Sequence, residues 1–204
     1  MTQKLTLYTN PMSRGRIVRW LLEELGIEYD VKVLEYGATM KAPEYLAINP
    51  MGKVPAVVHG NNIVTECAAI CTYLAETFPE AGLAPTAEER GAYYRWLFFA
   101  AGPLEQAIGI KALGVDIPQD KQGMLGCGNV TLTLDTLSYA VKANPYIAGD
   151  RFTAADVYVG SHLGFGMQFG TIEKRPEFVS YWQRICDRPA HIKASQLDDQ
   201  LMGK

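Results

Sequence analysis

The sequence has few of the features that mark membrane, nucleic-acid-binding or disulfide-stapled proteins. Its 204 residues contain no apolar run near the roughly 18 residues that a membrane-spanning helix needs. The chain has 19 lysines and arginines and 22 aspartates and glutamates, which gives a net charge of -3. Nucleic-acid-binding proteins typically have an excess of basic residues instead. We therefore expect neither a membrane span nor a nucleic-acid partner.

Cysteine is also scarce, with Cys67, Cys71, Cys127 and Cys186 as its four positions. These residues form no C-x-x-C pair and the histidines lack the spacing of zinc ligands, so we expect no metal site. Reduced and mostly buried thiols are the ordinary interpretation. Met1–Asn10 lacks the apolar core of a secretory signal, which favours a cytoplasmic location.

The composition that remains, 48% hydrophobic and 20% charged, is typical of a folded globular protein. Up to about residue 80, short apolar runs alternate with helical patterns in the order βαβαββα. The predicted strands are Leu5–Thr9, Tyr29–Leu34, Val54–His59 and Ile63–Val64, and the predicted helices begin at Ser13, at Pro43 and after a cap at Thr65. We expect a mixed four-stranded sheet covered by helices.

Beyond the linker at Glu80–Thr86 the apolar period is helical throughout. We therefore predict an α/β domain over 1–80 and an all-helical domain over 87–204. The predicted core stripe of its first helix, kinked at Pro103, is Tyr94, Leu97, Phe98, Ala101, Leu104 and Ile108. Thr153 and Asp156 have the spacing of a capping box, so Asp156→Ala is expected to cost about 1–2 kcal/mol of stability and little chemistry.

The junction between the first strand and the first helix carries an unusual concentration of cations. These are Arg14, Arg16 and Arg19. Because cations at a helix N-terminus oppose the helix dipole, they indicate a positive pocket for a thiolate or a carboxylate. The alternative is that they are solvated or paired with Glu23 or Asp30. Ser13, at the same junction, can cap the helix, donate to an anion, or do both.

Two further segments fit an extended peptide ligand. A cis bond between Val54 and Pro55 would turn the Val54 N–H and C=O outward, where they can pair with a peptide. A plain proline at the entry to a strand is the alternative. Glu66 and Cys67 open a helix whose unpaired N–H groups suit a carboxylate, with simple capping as the alternative.

Taken in order along the chain, these motifs resemble those of the cytosolic glutathione S-transferases. The stretches that carry the resemblance are Leu7–Gly26, Asn49–Val58 and Glu66–Leu74. Phe152–Asp156 resembles the capping motif of that family's helical domain. The resemblance implies a thioredoxin-like first domain, an all-helical second domain that contributes the electrophile site, and a homodimer. It also implies conjugation of glutathione to hydrophobic electrophiles, as in detoxification.

The resemblance also implies how glutathione is held along the first domain. The cysteinyl backbone of glutathione would pair with Val54, next to Pro55. Its γ-glutamyl end would meet Glu66 and Cys67, and its glycyl end would contact Lys53. Cys67 stands where the family usually has serine, so a weak thiol donor replaces a hydroxyl.

Two side-chain hydroxyls compete for the task of activating the glutathione thiol. Ser13 is favoured over Tyr8, because its loop position brings the hydroxyl out of the sheet and beside Arg14 and Arg16. Backbone N–H groups are the third option. The electrophile is expected between the two domains, against Met12 and aromatic side chains of the helical domain.

Two other functions fit the same pattern less well. One is a glutathione-dependent disulfide reductase or peroxidase, which the absence of a cysteine from Met12-Ser13-Arg14 disfavours. The other is a non-enzymatic interaction module, which the intact Lys53-Val54-Pro55 motif and Glu66 disfavour.

Overall fold

The computed structural model describes residues 4–203. The chain forms two compact units, one made of Met1–Ala84 with Asp187–Lys204 and the other of Pro85–Cys186. The boundary between Ala84 and Pro85 lies inside the linker predicted from the sequence. The C-terminal residues, assigned by the sequence pattern to a helical domain over 87–204, group with the first unit because their last helix binds a helix of that unit.

The first unit contains the predicted mixed four-stranded sheet, and its strand order is β2-β1-β3-β4. Strand β1 (Leu5–Thr9) is parallel to β2 (Asp30–Val33) and antiparallel to β3 (Ala56–His59). Strand β4 (Asn62–Thr65) pairs with β3 in antiparallel fashion. Val54 and Pro55 therefore precede β3 instead of belonging to it.

Three helices of the first unit follow the predicted order βαβαββα. They are α1 (Gly15–Leu25), α2 (Pro43–Leu46) and α3 (Cys67–Thr77), with short 3-10 turns at Thr39–Lys41 and Pro79–Ala81. Helix α1 buries its apolar stripe, which includes Ile17 and Leu21. It ends where Gly26 adopts a left-handed conformation with φ 66°, and the Gly26 N–H donates to Leu22 O.

The second unit is built from helices. These are α4 (Arg90–Phe99), α5 (Glu105–Ala112), α6 (Val130–Ala143), α7 (Ala154–Phe169) and α8 (Pro176–Ile185), with a π-helical turn at Ala100–Leu104 and a 3-10 turn at Gln119–Met124. Over residues 4–203, no helix has both the length and the apolar character to cross a membrane.

The core-facing stripe of α4 and α5 differs in part from the predicted one. Leu97 and Leu104 are buried as expected, but Phe98 is 65% exposed. Tyr93 and Ala107 are buried beside them instead. Tyr93 and Phe98 precede the π-helical turn, so the difference is already present in α4, and the turn itself accommodates Pro103.

The capping box at the start of α7 is confirmed. The Thr153 N–H donates to Asp156 Oδ2 at 2.8 Å, so the carboxylate closes the first turn as the spacing predicted. Two more donors reach the other oxygen, the Ile147 N–H at 2.7 Å and the Tyr181 hydroxyl at 2.6 Å. Burial raises the pKa of Asp156 above its ordinary value, and the hydrogen bonds oppose that rise.

Helix α9 (Pro189–Gln200) completes the first unit by lying against α1. Four ion pairs join the two: Arg188 to Glu24, Lys193 to Glu23, Arg19 to Asp198, and Arg16 to Asp199. As the residue numbers of these partners increase along α9, those on α1 decrease, so the two helices are antiparallel.

Candidate active site

Three chain segments meet at one end of the sheet. Tyr8 pairs with Ala56, and Ala56 pairs with Thr65 on its other side. Both pairings are antiparallel, so the residues that follow Tyr8 and Thr65 lie beside those that precede Ala56. The register thus brings together the loop after β1, the Val54-Pro55 segment and the start of α3, which are the three segments singled out in the sequence.

The Val54-Pro55 bond is cis, which is one of the two alternatives open from the residues and the one that the family resemblance implies. Within residues 4–203, neither the Val54 N–H nor its C=O has a hydrogen-bond partner. Val54 is half-buried at the end of the sheet. Its donor and acceptor are therefore available to an extended ligand.

The backbone just before Val54 is held in place by two side chains. The Tyr45 hydroxyl and the Asn49 side-chain amide donate to Lys53 O, at 2.5 and 2.8 Å. Burial raises the pKa of Tyr45 to about 12, so its hydroxyl keeps the proton that it donates. The Lys53 side chain is exposed above this fixed backbone.

Glu66 occupies the cap position of α3, where the sequence analysis had placed Thr65. With φ 65° it is the one non-glycine residue with positive φ in the part of the chain that the structure describes. Such a conformation costs about 1–3 kcal/mol and concentrates at functional sites. Glu66 is exposed, and Cys67 is buried as the first residue of α3. The first N–H groups of a helix point toward its N-terminus, where they suit an anion.

Ser13 lies in the turn before α1 and uses its hydroxyl twice. The Ser13 hydroxyl donates to Asn10 O at 2.7 Å and accepts the Gly15 N–H at 2.9 Å. The Sγ of Cys67 lies 3.8 Å from the carbonyl oxygen of Arg14, the next residue. This contact places the starts of α1 and α3, and hence Ser13 and Cys67, at the same end of the unit.

Tyr8 faces the other side of the sheet from α1. Along β1, Leu5, Leu7 and Thr9 are buried in alternation with the half-buried Tyr8. The Tyr8 ring lies 5.5 Å from that of Tyr45 on α2. The Lys32 ammonium lies 3.4 Å from its hydroxyl oxygen.

The arginines do not form the expected open cationic cluster. The Arg19 side chain is 4% exposed and binds Asp198, and the Arg16 guanidinium binds Asp199. The partners expected from the sequence, Glu23 and Asp30, pair with lysines instead. Arg14 and Met12 are exposed, and the Met12 N–H donates to Asn10 Oδ1 at 2.9 Å.

Two family models match the chain. The model of the glutathione S-transferase N-terminal domain covers residues 3–76, and the model of the C-terminal domain covers residues 128–189. The chain belongs to the glutathione S-transferase family. Glutathione S-transferase GST-4.5 of Xanthomonas campestris is 30% identical over 94% of this chain and 99% of its own length. Glutathione S-transferase 3 of Zea mays is 27% identical over 93% of this chain and 92% of its own length.

Solved structures of other glutathione transferases share the fold. The crystal structure of the Methylococcus capsulatus glutathione transferase has a TM-score of 0.79 and 27% identity, covering 96% of this chain and 99% of its own. A glutathione S-transferase from Xylella fastidiosa has a TM-score of 0.77 and 25% identity, covering 96% and 98%. The N-terminal match of this glutathione S-transferase family member includes the whole candidate site, whereas Asp198 and Asp199 lie beyond both matched ranges.

Sequence reasoning missed the residues that support the candidate site without lining it. Tyr45 and Asn49 fix the Lys53 backbone, and Asp198 and Asp199 bind the arginines of α1. The Asn49-Pro50 turn was a usable signal for Asn49, because asparagine before proline favours a side-chain-stabilised turn. The two aspartates gave no local signal.

Proposed function

We propose that this protein conjugates glutathione to hydrophobic electrophiles, with glutathione bound along the end of the sheet. The Val54 N–H and C=O pair with the cysteinyl backbone of glutathione. The γ-glutamyl carboxylate meets the Cys67 N–H at the start of α3, and Glu66 binds the γ-glutamyl ammonium. The Lys53 ammonium faces the glycyl carboxylate.

Family membership and the meeting of these three segments support this placement. A peptide needs a backbone donor and acceptor, which Val54 has unused. A carboxylate suits a helix N-terminus, and α3 has no acidic residue in its first turn. Glu66 is exposed, and its side chain makes no capping hydrogen bond to α3.

We assign activation of the thiol to Ser13. A free thiol with a pKa near 8.5 is mostly protonated at neutral pH, and a hydrogen bond to the sulfur favours the thiolate. Rotation of the Ser13 hydroxyl from Asn10 O to the sulfur supplies that bond, while the Gly15 N–H continues to donate to Oγ. The thiol proton leaves to solvent, and the thiolate forms a carbon–sulfur bond as the leaving group departs with its electron pair.

The single observation that carries this assignment is the contact between Cys67 and the Arg14 carbonyl. It supports a role for Ser13 beside the proposed γ-glutamyl site, because Ser13 lies at the N-terminus of α1, where the helix dipole favours an anion. Tyr8 lies on the opposite face of the sheet and packs on Tyr45. Arg16 and Arg19, already bound to aspartates, are assigned no substrate contact.

The experiment compares two reactions and two binding variants. The protein should conjugate glutathione to an aromatic halide faster than it reduces hydroxyethyl disulfide, and the reverse order would favour the reductase function. Val54→Pro removes the backbone donor and Glu66→Gln removes the charge, so each should weaken glutathione binding by calorimetry. Unchanged affinity in both folded variants would show that glutathione lies elsewhere.

We also propose that the protein is a homodimer, in keeping with its family. Several large side chains of the second unit are exposed in the single chain, among them Phe98, Tyr139 and Phe169. Tyr93 and Trp96, on α4, are buried inside that unit.

A further inference from the structure

Arg16 joins the turn that holds Ser13 to the C-terminal helix. Its Nε donates to the Pro11 carbonyl oxygen at 2.6 Å. Its Nη2 donates to Asp199 Oδ1, also at 2.6 Å. One guanidinium group therefore binds the backbone two residues before Ser13 through Nε and α9 through Nη2.

The turn itself is held by further hydrogen bonds, two within the turn and one to Leu34. The Asn10 side chain donates to Leu34 O at 2.8 Å and accepts the Met12 N–H at 2.9 Å. The Ser13 hydroxyl donates to Asn10 O. These bonds fix Asn10, but the Ser13 bond must break if the hydroxyl is to turn to a ligand. The Arg16 bond to Pro11 remains in either state and holds the turn from its other side.

Asp199 has the geometry to orient Arg16. A guanidinium is a rigid planar fork, so a carboxylate bound to one nitrogen fixes the direction of the others. The position of Asp199 is fixed by its neighbour Asp198, which pairs with Arg19 at 2.8 Å. Both of those side chains are almost fully buried. The consecutive aspartates thus face two arginines one turn apart on α1.

Because the Arg16–Asp199 ion pair is partly exposed, its loss should affect the reaction rate more than the stability of the protein. The Arg16 side chain is 20% exposed and that of Asp199 is 46% exposed. Ion pairs this exposed contribute little to global stability. A displacement of about 1 Å near a reacting group, by contrast, can lower a rate by about a hundredfold.

We propose that Asp199 is a positioning residue for the transfer reaction: it orients Arg16, which holds the Pro11 carbonyl and so fixes the turn that presents Ser13. This inference rests on the proposed role of Ser13. It reassigns Arg16, taken from the sequence as a substrate contact, to the support of the turn. It also makes the end of α9, beyond the matched family ranges, part of the catalytic apparatus.

The experiment compares Asp199→Asn with Arg188→Gln in the full-length protein. Arg188 binds Glu24 at 2.6 and 2.7 Å between the same two helices, at the end away from the turn. Asp199→Asn should lower kcat roughly tenfold or more, with a smaller change in the KM for glutathione. Arg188→Gln should leave kcat unchanged. Asp199→Glu, which keeps the charge, should recover most of the lost rate.

Amide hydrogen exchange gives a second readout that needs no activity. The Met12 and Ser13 amides should exchange faster in Asp199→Asn, and in Arg16→Lys, than in Arg188→Gln. Equal kcat and equal exchange in Asp199→Asn and Arg188→Gln would overturn the proposal. Suppose instead that Asp199→Asn exchanges faster but the wild-type protein conjugates no electrophile. That result would overturn the proposed function and leave the structural role of Asp199 standing.

Discussion

Gly15 lies where α1 approaches β1 so closely that no side chain fits between them. A Cβ atom at this position would lie 1.9 Å from Thr9 Oγ1 and 3.0 Å from Ser13 Oγ. Real contacts of that kind do not fall below about 3 Å in a packed protein, so Thr9 or the start of α1 would have to move. The glycine therefore sets the position of the turn that carries Ser13.

Gly15→Ala is expected to destabilise the protein by roughly 1–3 kcal/mol, because overpacking forces the backbone to shift. The control is Gly109→Ala in α5, where the added Cβ meets nothing within 4 Å and the better helix former should add about 1 kcal/mol. Urea unfolding measures both. A Gly15→Ala protein that is as stable as Gly109→Ala would show that the close approach does not exist in solution.

At the scale of elements, the start of α7 shows how a local motif serves a larger network. The Thr153 N–H donates to Asp156, as a capping box requires, and the Thr153 hydroxyl donates to the same carboxylate. Ile147 and Tyr181 add donors from outside the helix. The carboxylate thus joins α7 to the segment before it and to α8 after it.

Asp156→Ala should therefore cost more than the 1–2 kcal/mol expected of a cap. Removing the carboxylate leaves several buried donors without a partner, and roughly 3–5 kcal/mol is the expected loss. Asp135→Ala is the control, because Asp135 is an exposed carboxylate of α6 paired with Arg175, and should cost under about 1 kcal/mol. Chemical denaturation compares the two, and equal losses would contradict the network.

At the scale of the whole molecule, the sequence predicts the features that depend on residues close together along the chain. The mixed four-stranded sheet and the cap at Asp156 follow from local patterns, and the cis Val54-Pro55 bond follows from the resemblance of the motifs to those of the glutathione S-transferases. The same local reasoning failed for the arginines of α1. Arg19 and Asp198 are far apart in sequence, and no pattern near either residue reveals the other.

The candidate site could be predicted only in part, because some of its features depend on contacts between residues that are distant in sequence. The register of the sheet brought together the segments that the motifs had marked, so those residues could be predicted. The face of the sheet on which each hydroxyl lies depends on where α1 and α2 pack. That is a tertiary property, and it separates Ser13 from Tyr8.

The proposed homodimer makes a prediction about mass. Sedimentation equilibrium at micromolar concentration should give about twice the 22.5 kDa of the single chain. The physical reason is the set of large exposed side chains of the second unit, which a partner chain would remove from water. A mass of one chain would contradict the dimer without affecting the glutathione site.

The central claim is that Ser13 activates the thiol, and the pKa of bound glutathione tests it most directly. The ultraviolet absorbance of the thiolate is titrated against pH in the wild type, Ser13→Ala and Tyr8→Phe. Losing a donor to a charged sulfur raises the thiol pKa, by roughly one unit or more for Ser13→Ala. Tyr8→Phe should leave that pKa at the wild-type value. A raised pKa in Tyr8→Phe together with an unchanged one in Ser13→Ala would contradict the account.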